Sequence, residues 1–263
     1  MFLTLFTLFF FFLGIIEPHN EGLSISLAGL IAIIFLTVDY KLIQLDLNLI
    51  EERHRFARDL IYQRKSTAFL LFVISVIIYL VQLLLVEVQG SLEIVMLKMG
   101  IVYEKVNEGE FWRLLIGFLF HSGFSHWLVN TLFLIGFSVL ARPYKSLQLF
   151  IFFISGCISS SIGALILFLL GFSENDGFLG ISGGTSALAG AVLIASINNS
   201  AYFPKYFYIS FLAFITSLTL LDFITATNMT ALSHLIGFLV GGLLSITVSK
   251  PLILKDVSVN GSR

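Results

Sequence analysis

The chain has 263 residues, 57% hydrophobic and only 12% charged, with a net charge of −1 and 28 phenylalanines. So little polar surface cannot cover a soluble core of this size, which excludes a water-soluble domain. The near-neutral balance gives no footing for nucleic acid, and the single Cys157 excludes a disulfide framework.

A helix needs roughly 20 apolar residues to cross the hydrocarbon core. Taken in chain order, the candidate spans are 2–16, 22–38, 67–88, 113–140, 145–171, 182–198, 203–221 and 230–250. Residues 1–16 are as apolar as the middle of a signal peptide. They lack a basic start, however, and no small-residue cleavage site precedes "EPHNEG". The expected organisation is an N-terminal hydrophobic helical hairpin over 1–38 and a cytoplasmic amphipathic linker over 39–66. A six-span core over 67–250 and a cytoplasmic tail over 251–263 follow. Within the linker, residues 45–66 are expected to form a helix, either lying on the membrane surface or solvated. The half-apolar connection 89–112 is expected to lie in the interface. The fold class is all-α integral membrane.

Lysine and arginine set the orientation. Lys41, Arg53, Arg55, Arg58, Arg64 and Lys65 precede the first core span. Arg142, Lys145, Lys205, Lys250, Lys255 and Arg263 fall on the same side if spans alternate. The other side holds Lys98, Lys105 and Arg113, with acidic Glu174, Asp176 and Asp222. The basic side is expected to be cytoplasmic, with both termini inside. The compact chain suggests a prokaryotic plasma (inner) membrane.

Polar residues inside spans are costly and mark function by default. His121, His126 and Asn130 lie in "HSGFSHWLVN", and Asn130 follows His126 by four residues, on one helix face. His234 lies in the last span, with Gly237 and Gly241 on roughly the same face. Ser182 lies in "GISG", and Gly183, Ser186 and Gly190 leave its helix nearly bare on one side. Such small faces let helices approach closely, so Ser182 and His234 are expected to come within hydrogen-bond reach. An imidazole beside a serine hydroxyl takes its proton and later returns it to a leaving amine. The oxyanion formed on attack needs preorganised donors, worth ~3 kcal/mol each. The Ser182 N–H at a helix N-terminus, His126 and Asn130 are the candidates, and Gly180 and Gly183 permit the sharp turn around Ser182. No acidic residue is expected to orient His234, so the sequence predicts a dyad, not a triad. Cys157 and the run Ser159–Ser161 read as packing residues, and Thr185 and Ser186 as back-bonded helix residues.

"EFWRLLIGFLFHSGFSHWLVNTLFLIGF", "GISG" and "ALSHLIGFLVGG", in that order, resemble the rhomboid intramembrane serine proteases. The resemblance runs from about Glu110 to Gly241 and implies a six-transmembrane-helix bundle. It implies Ser182 as nucleophile, His234 as general base, His126 and Asn130 as oxyanion stabilisers and His121 as a supporting residue. Trp112 and Arg113 would belong to a membrane-embedded loop shaping a lateral entrance. Gly237 and Gly241 would form the contact of the fourth and sixth spans. Many members carry an aromatic residue four positions after the nucleophile, stacked on the catalytic histidine; Ser186 stands there in this chain.

The expected function is cleavage of single-span membrane proteins near the outer face, with no metal or cofactor implied. The partners are then transmembrane substrates and the lipid bilayer; nothing sets an oligomeric state. The alternative is an inactive rhomboid-like protein that binds or escorts single-span clients through the same cleft.

Overall fold

The computed structural model describes residues 34, 37–62, 66–172, 177–198, 202–225 and 228–248. The expected tail, and the expected hairpin apart from residues 34, 37 and 38, lie outside the described residues. After a helical stretch over 37–45 come α1 (Leu49–Tyr62), α2 (Ser66–Gln89), α3 (Leu92–Met99), β1 (Ile101–Val102), α4 (Tyr103–Asn107) and α5 (Arg113–Ile116). A 3₁₀ turn (Gly117–Leu119) leads to α6 (Phe124–Leu140), α7 (Ser146–Leu169), β2 (Gly177–Phe178), α8 (Ser182–Asn198), α9 (Phe207–Thr225) and α10 (Asn228–Val248).

Lipid offers no partners to backbone amides, so apolar segments that cross it close their hydrogen bonds internally as helices. Three described helices are long and apolar enough to cross by themselves: α2, α7 and residues Met229–Val248 of α10. A fourth span results if Arg113–Leu119 and α6 are joined, but they meet at 98°. The expected continuous span over 113–140 is thus broken. The Gln82 side chain, from α2, accepts from the His121 N–H and donates to the His121 carbonyl. Those backbone groups are therefore not available to a helical ladder. α9 is shorter, and α8 has 17 residues. At 1.5 Å per residue α8 is about 26 Å long, less than the ~30 Å hydrocarbon thickness.

α8 is the central helix, packed against α10, α7, α6 and α9. Its small residues make this possible. A methyl group placed on Gly237 would overlap the Gly183 carbonyl, and one on Gly241 would overlap the Ala187 carbonyl. Gly190 meets the Phe238 carbonyl in the same way. α7 closes the trio: Gly156 touches Gly183 and Ala187, and the Ser160 hydroxyl donates to the Ser233 carbonyl at 2.7 Å. α8, α7 and α10 are therefore in backbone-to-backbone contact, where dispersion and close packing rather than water exclusion hold helices together.

Two connections pack against the bundle. In the segment 89–112, Val95, Ile101, Tyr103 and Val106 are buried in the protein. α1 packs on it as well. At the end of the bundle opposite Ser182, its Phe56 packs on Phe203 and Phe207, with the Arg142 guanidinium over the Phe56 ring. Glu52 accepts from the Lys205 backbone N–H, and Asp46 pairs with the Lys205 ammonium at 3.0 Å. That pairing holds the Asp46 carboxyl below its usual range and raises the Lys205 ammonium.

Gly241→Ala is expected to destabilise the fold by about 1–3 kcal/mol, because the added methyl meets backbone that cannot yield. Gly136→Ala, in α6 with nothing within 4 Å, is expected to be neutral or to gain up to about 1 kcal/mol from helix propensity. Unfolding of both variants in detergent checks the contrast.

Candidate active site

Ser182 is the first residue of α8 and is 8% exposed. The Ile181 carbonyl accepts from the Gly184 and Thr185 N–H groups, which closes the first turn. The Thr185 hydroxyl donates back to the Ser182 carbonyl at 2.8 Å. The first N–H groups of a helix have no partner inside it, and they meet the positive end of the dipole. The chain enters this turn through Gly180, whose φ of +94° lies in the left-handed region. A two-strand pairing anchors the approach, with Ile101 opposite Phe178 and Val102 opposite Gly177.

The Gly180 turn is pressed against α6. A methyl group there would lie 2.8 Å from His126 Cε1, 2.9 Å from His126 Nε2 and 3.3 Å from Asn130 Nδ2. His126 and Asn130 are thus brought to within two residues of Ser182. His126 Nδ1 is 3.1 Å from the Ser122 hydroxyl, and Asn130 Nδ2 donates to the His126 carbonyl at 3.1 Å. The His121 and His126 rings meet edge to face at 5.2 Å. His121 is buried, and among the described residues neither of its ring nitrogens has a hydrogen-bond partner.

His234 lies three residues before Gly237, and Gly237 touches Gly183, the residue after Ser182. At 1.5 Å per residue the two side chains therefore differ by only a few ångströms in depth. Among the described residues no hydrogen bond joins Ser182 to His234. The His234 ring is bonded instead to Asp222: Nδ1 is 2.6 Å from the carboxylate Oδ2. Their side chains are 21% and 29% exposed. The expectation that no acidic side chain orients His234 is therefore wrong. Asp222 stands in the last turn of α9, and its carboxylate meets the imidazole carried by α10.

Trp112 and Arg113 stand apart from this cluster. Arg113 is buried and donates to Glu110 at 2.7 Å and to the Gly100 carbonyl at 2.6 Å, with its guanidinium 4.7 Å from the Trp112 ring centre. It clasps the loop that carries β1. Gly180 and Gly183 stand in the turn and the first turn of α8, and Gly237 and Gly241 stand on the α10 face that meets α8. Ser186, partly buried, lies one turn into α8.

Sequence reading missed two functional candidates. Gln82 had a visible signal, an amide inside an otherwise apolar span. Asp222 was visible as an acid beside the last span, but only the fold pairs it with a histidine twelve residues on. Among the described residues no group of three or more His, Cys, Asp or Glu could hold a metal ion.

Residues 108–251, more than half of the chain, match the family model described as Rhomboid domain. A comparison with curated proteins finds no match.

Gln82→Leu is expected to destabilise the fold by about 1–3 kcal/mol for each of the two His121 backbone groups it leaves buried and unpaired. The measurement is unfolding in detergent against wild type.

Proposed function

The chain belongs to the rhomboid family, and on that premise we propose that it is an intramembrane serine endopeptidase. Its substrates are single-span membrane proteins, cut near the outer face of the bilayer. The observation that carries the reading is the Gly183–Gly237 contact, which brings Ser182 and His234 to one end of a tightly packed helix pair at nearly equal depth.

In the reaction, the Ser182 hydroxyl attacks a peptide carbonyl of the client, and its proton passes to His234 Nε2. The Oγ–C bond forms as the carbonyl π pair moves onto oxygen. That oxyanion faces the α8 N-terminus, His126 and Asn130, donors set in advance around the Gly180 turn. Collapse expels the amine, which takes the proton from Nε2. Water then attacks the acyl group, giving one proton to His234 and through it restoring the serine. The Ser182–His234 hydrogen bond forms as substrate settles, since catalytic bonds are often long before binding.

The location follows from solvent. Hydrolysis consumes water, so a site within the bilayer must open to one aqueous face. α8 is shorter than the hydrocarbon thickness, which supports a nucleophile set below one surface with a polar depression above it. An intact client helix hides its carbonyls, so helix-weakening glycine or proline near the cut favours cleavage. The excess of lysine and arginine on the other side supports a cytoplasmic basic face, with the site on the outer face and both termini inside.

Fluorophosphonate labelling of the purified protein tests the reading. Wild type is expected to label, while Ser182→Ala and His234→Ala lose labelling and lose cleavage of single-span reporters in liposomes. Equal labelling of all three would remove the hydrolase and leave a client-binding protein.

A further inference from the structure

We propose that Asp222 is the positioning residue for His234: it fixes the tautomer and orientation of the ring and faces the imidazolium that forms when Ser182 loses its proton. The proposal rests on the reading of Ser182 and His234 as nucleophile and base.

The argument starts from the 2.6 Å contact between Asp222 Oδ2 and His234 Nδ1. A carboxylate offers only acceptors, so the hydrogen of the neutral ring must sit on Nδ1. The lone pair is then on Nε2, the edge that has to receive the serine proton. Without Asp222 either tautomer is open to the ring, and one of them has no acceptor at Nε2. The Asp222 bond holds the ring at its Nδ1 edge.

The same contact matters once charge develops. Taking the Ser182 proton makes the ring a cation within an apolar bundle, where an unpaired charge is costly. Asp222 meets that cation directly. It also lies in the last turn of α9, where free carbonyls and the negative end of the helix dipole add a smaller attraction of the same sign. The proton count is unchanged: Nδ1–H stays on the ring throughout, and only the Nε2 proton moves, from Ser182 to the leaving amine.

The test uses the full chain as wild type, Asp222→Asn and Asp222→Ala. It reads Ser182 labelling rate, kcat and KM for a single-span reporter, and the unfolding midpoint. Asn matches Asp in shape and keeps a hydrogen bond to the ring, so a merely structural role predicts wild-type activity for it. Its amide can donate to Nδ1, however, which puts the ring hydrogen on Nε2 and blocks proton transfer. Both variants are expected to lose about 100-fold or more in kcat and labelling rate. KM should stay within about twofold, and the Asn midpoint close to wild type. Wild-type kcat and labelling in either variant overturns the proposal and leaves Ser182 and His234 in their roles. If Asp222→Ala fails to fold, Asp222→Asn alone decides. A wild type that labels no better than Ser182→Ala removes the nucleophile–base reading, and this inference with it.

Discussion

Bare backbone at the crossing of α8 and α10 is the constraint on which everything else rests. Gly183 against Gly237, and Ala187 against Gly241, leave no room for a methyl group. Ordinary helix pairs stand 8–10 Å apart, separated by a layer of side chains. Such a layer here would move Ser182 away from the helix that bears His234. Lipid gives no hydrophobic push to compensate, because the tails are as apolar as the helices. Contact has to come from shape, and shape from glycine, alanine and serine. α7 completes the arrangement, with Gly156 against α8 and the Ser160 hydroxyl on the Ser233 carbonyl.

Around that contact, several polar groups in the apolar medium are satisfied in pairs, which offsets the cost of burying them. Ser75 and Thr131 join α2 to α6 at 2.8 Å, and the Trp127 indole N–H donates to the Ser75 hydroxyl at 3.0 Å. Gln82 holds the His121 backbone, and Arg113 ties Glu110 to the Gly100 carbonyl. These bonds fix the loop segments at the Ser182 end, where the chain is not helical and cannot satisfy itself. The β1–β2 pairing extends the same clasp to the approach to Ser182. Preorganisation of the candidate oxyanion donors is thus spread over α2, α6 and the 100–120 segment, not confined to the residues that face the substrate.

Much of this was legible in the sequence. The span read over 182–198 is α8 to the residue, because its apolar run is bounded by polar, glycine-rich chain. Of the residues singled out in "HSGFSHWLVN", His126 and Asn130 lie against the Gly180 turn, two residues before the Ser182 of "GISG". Other features were not legible, for physical reasons. A break at His121 depends on a glutamine 39 residues earlier, and hydropathy averages over such a break. α1 reads as an amphipathic helix, on the membrane surface or solvated, and its Phe56 meets an aromatic cluster supplied by Phe203 and Phe207, far away in the chain. Asp222 falls outside any helical spacing with His234, because the two stand on different helices, α9 and α10.

The order of helices along the chain has a consequence for biosynthesis. Ser182 opens α8, but Asp222 and His234 belong to α9 and α10, which emerge afterwards. On the reading of Ser182 and His234 as nucleophile and base, a chain inserted only as far as α8 carries the serine without its base until α10 docks. On the proposed reading, the hydrolytic pocket forms only once α10 has docked, so a chain inserted only as far as α8 cannot yet cleave.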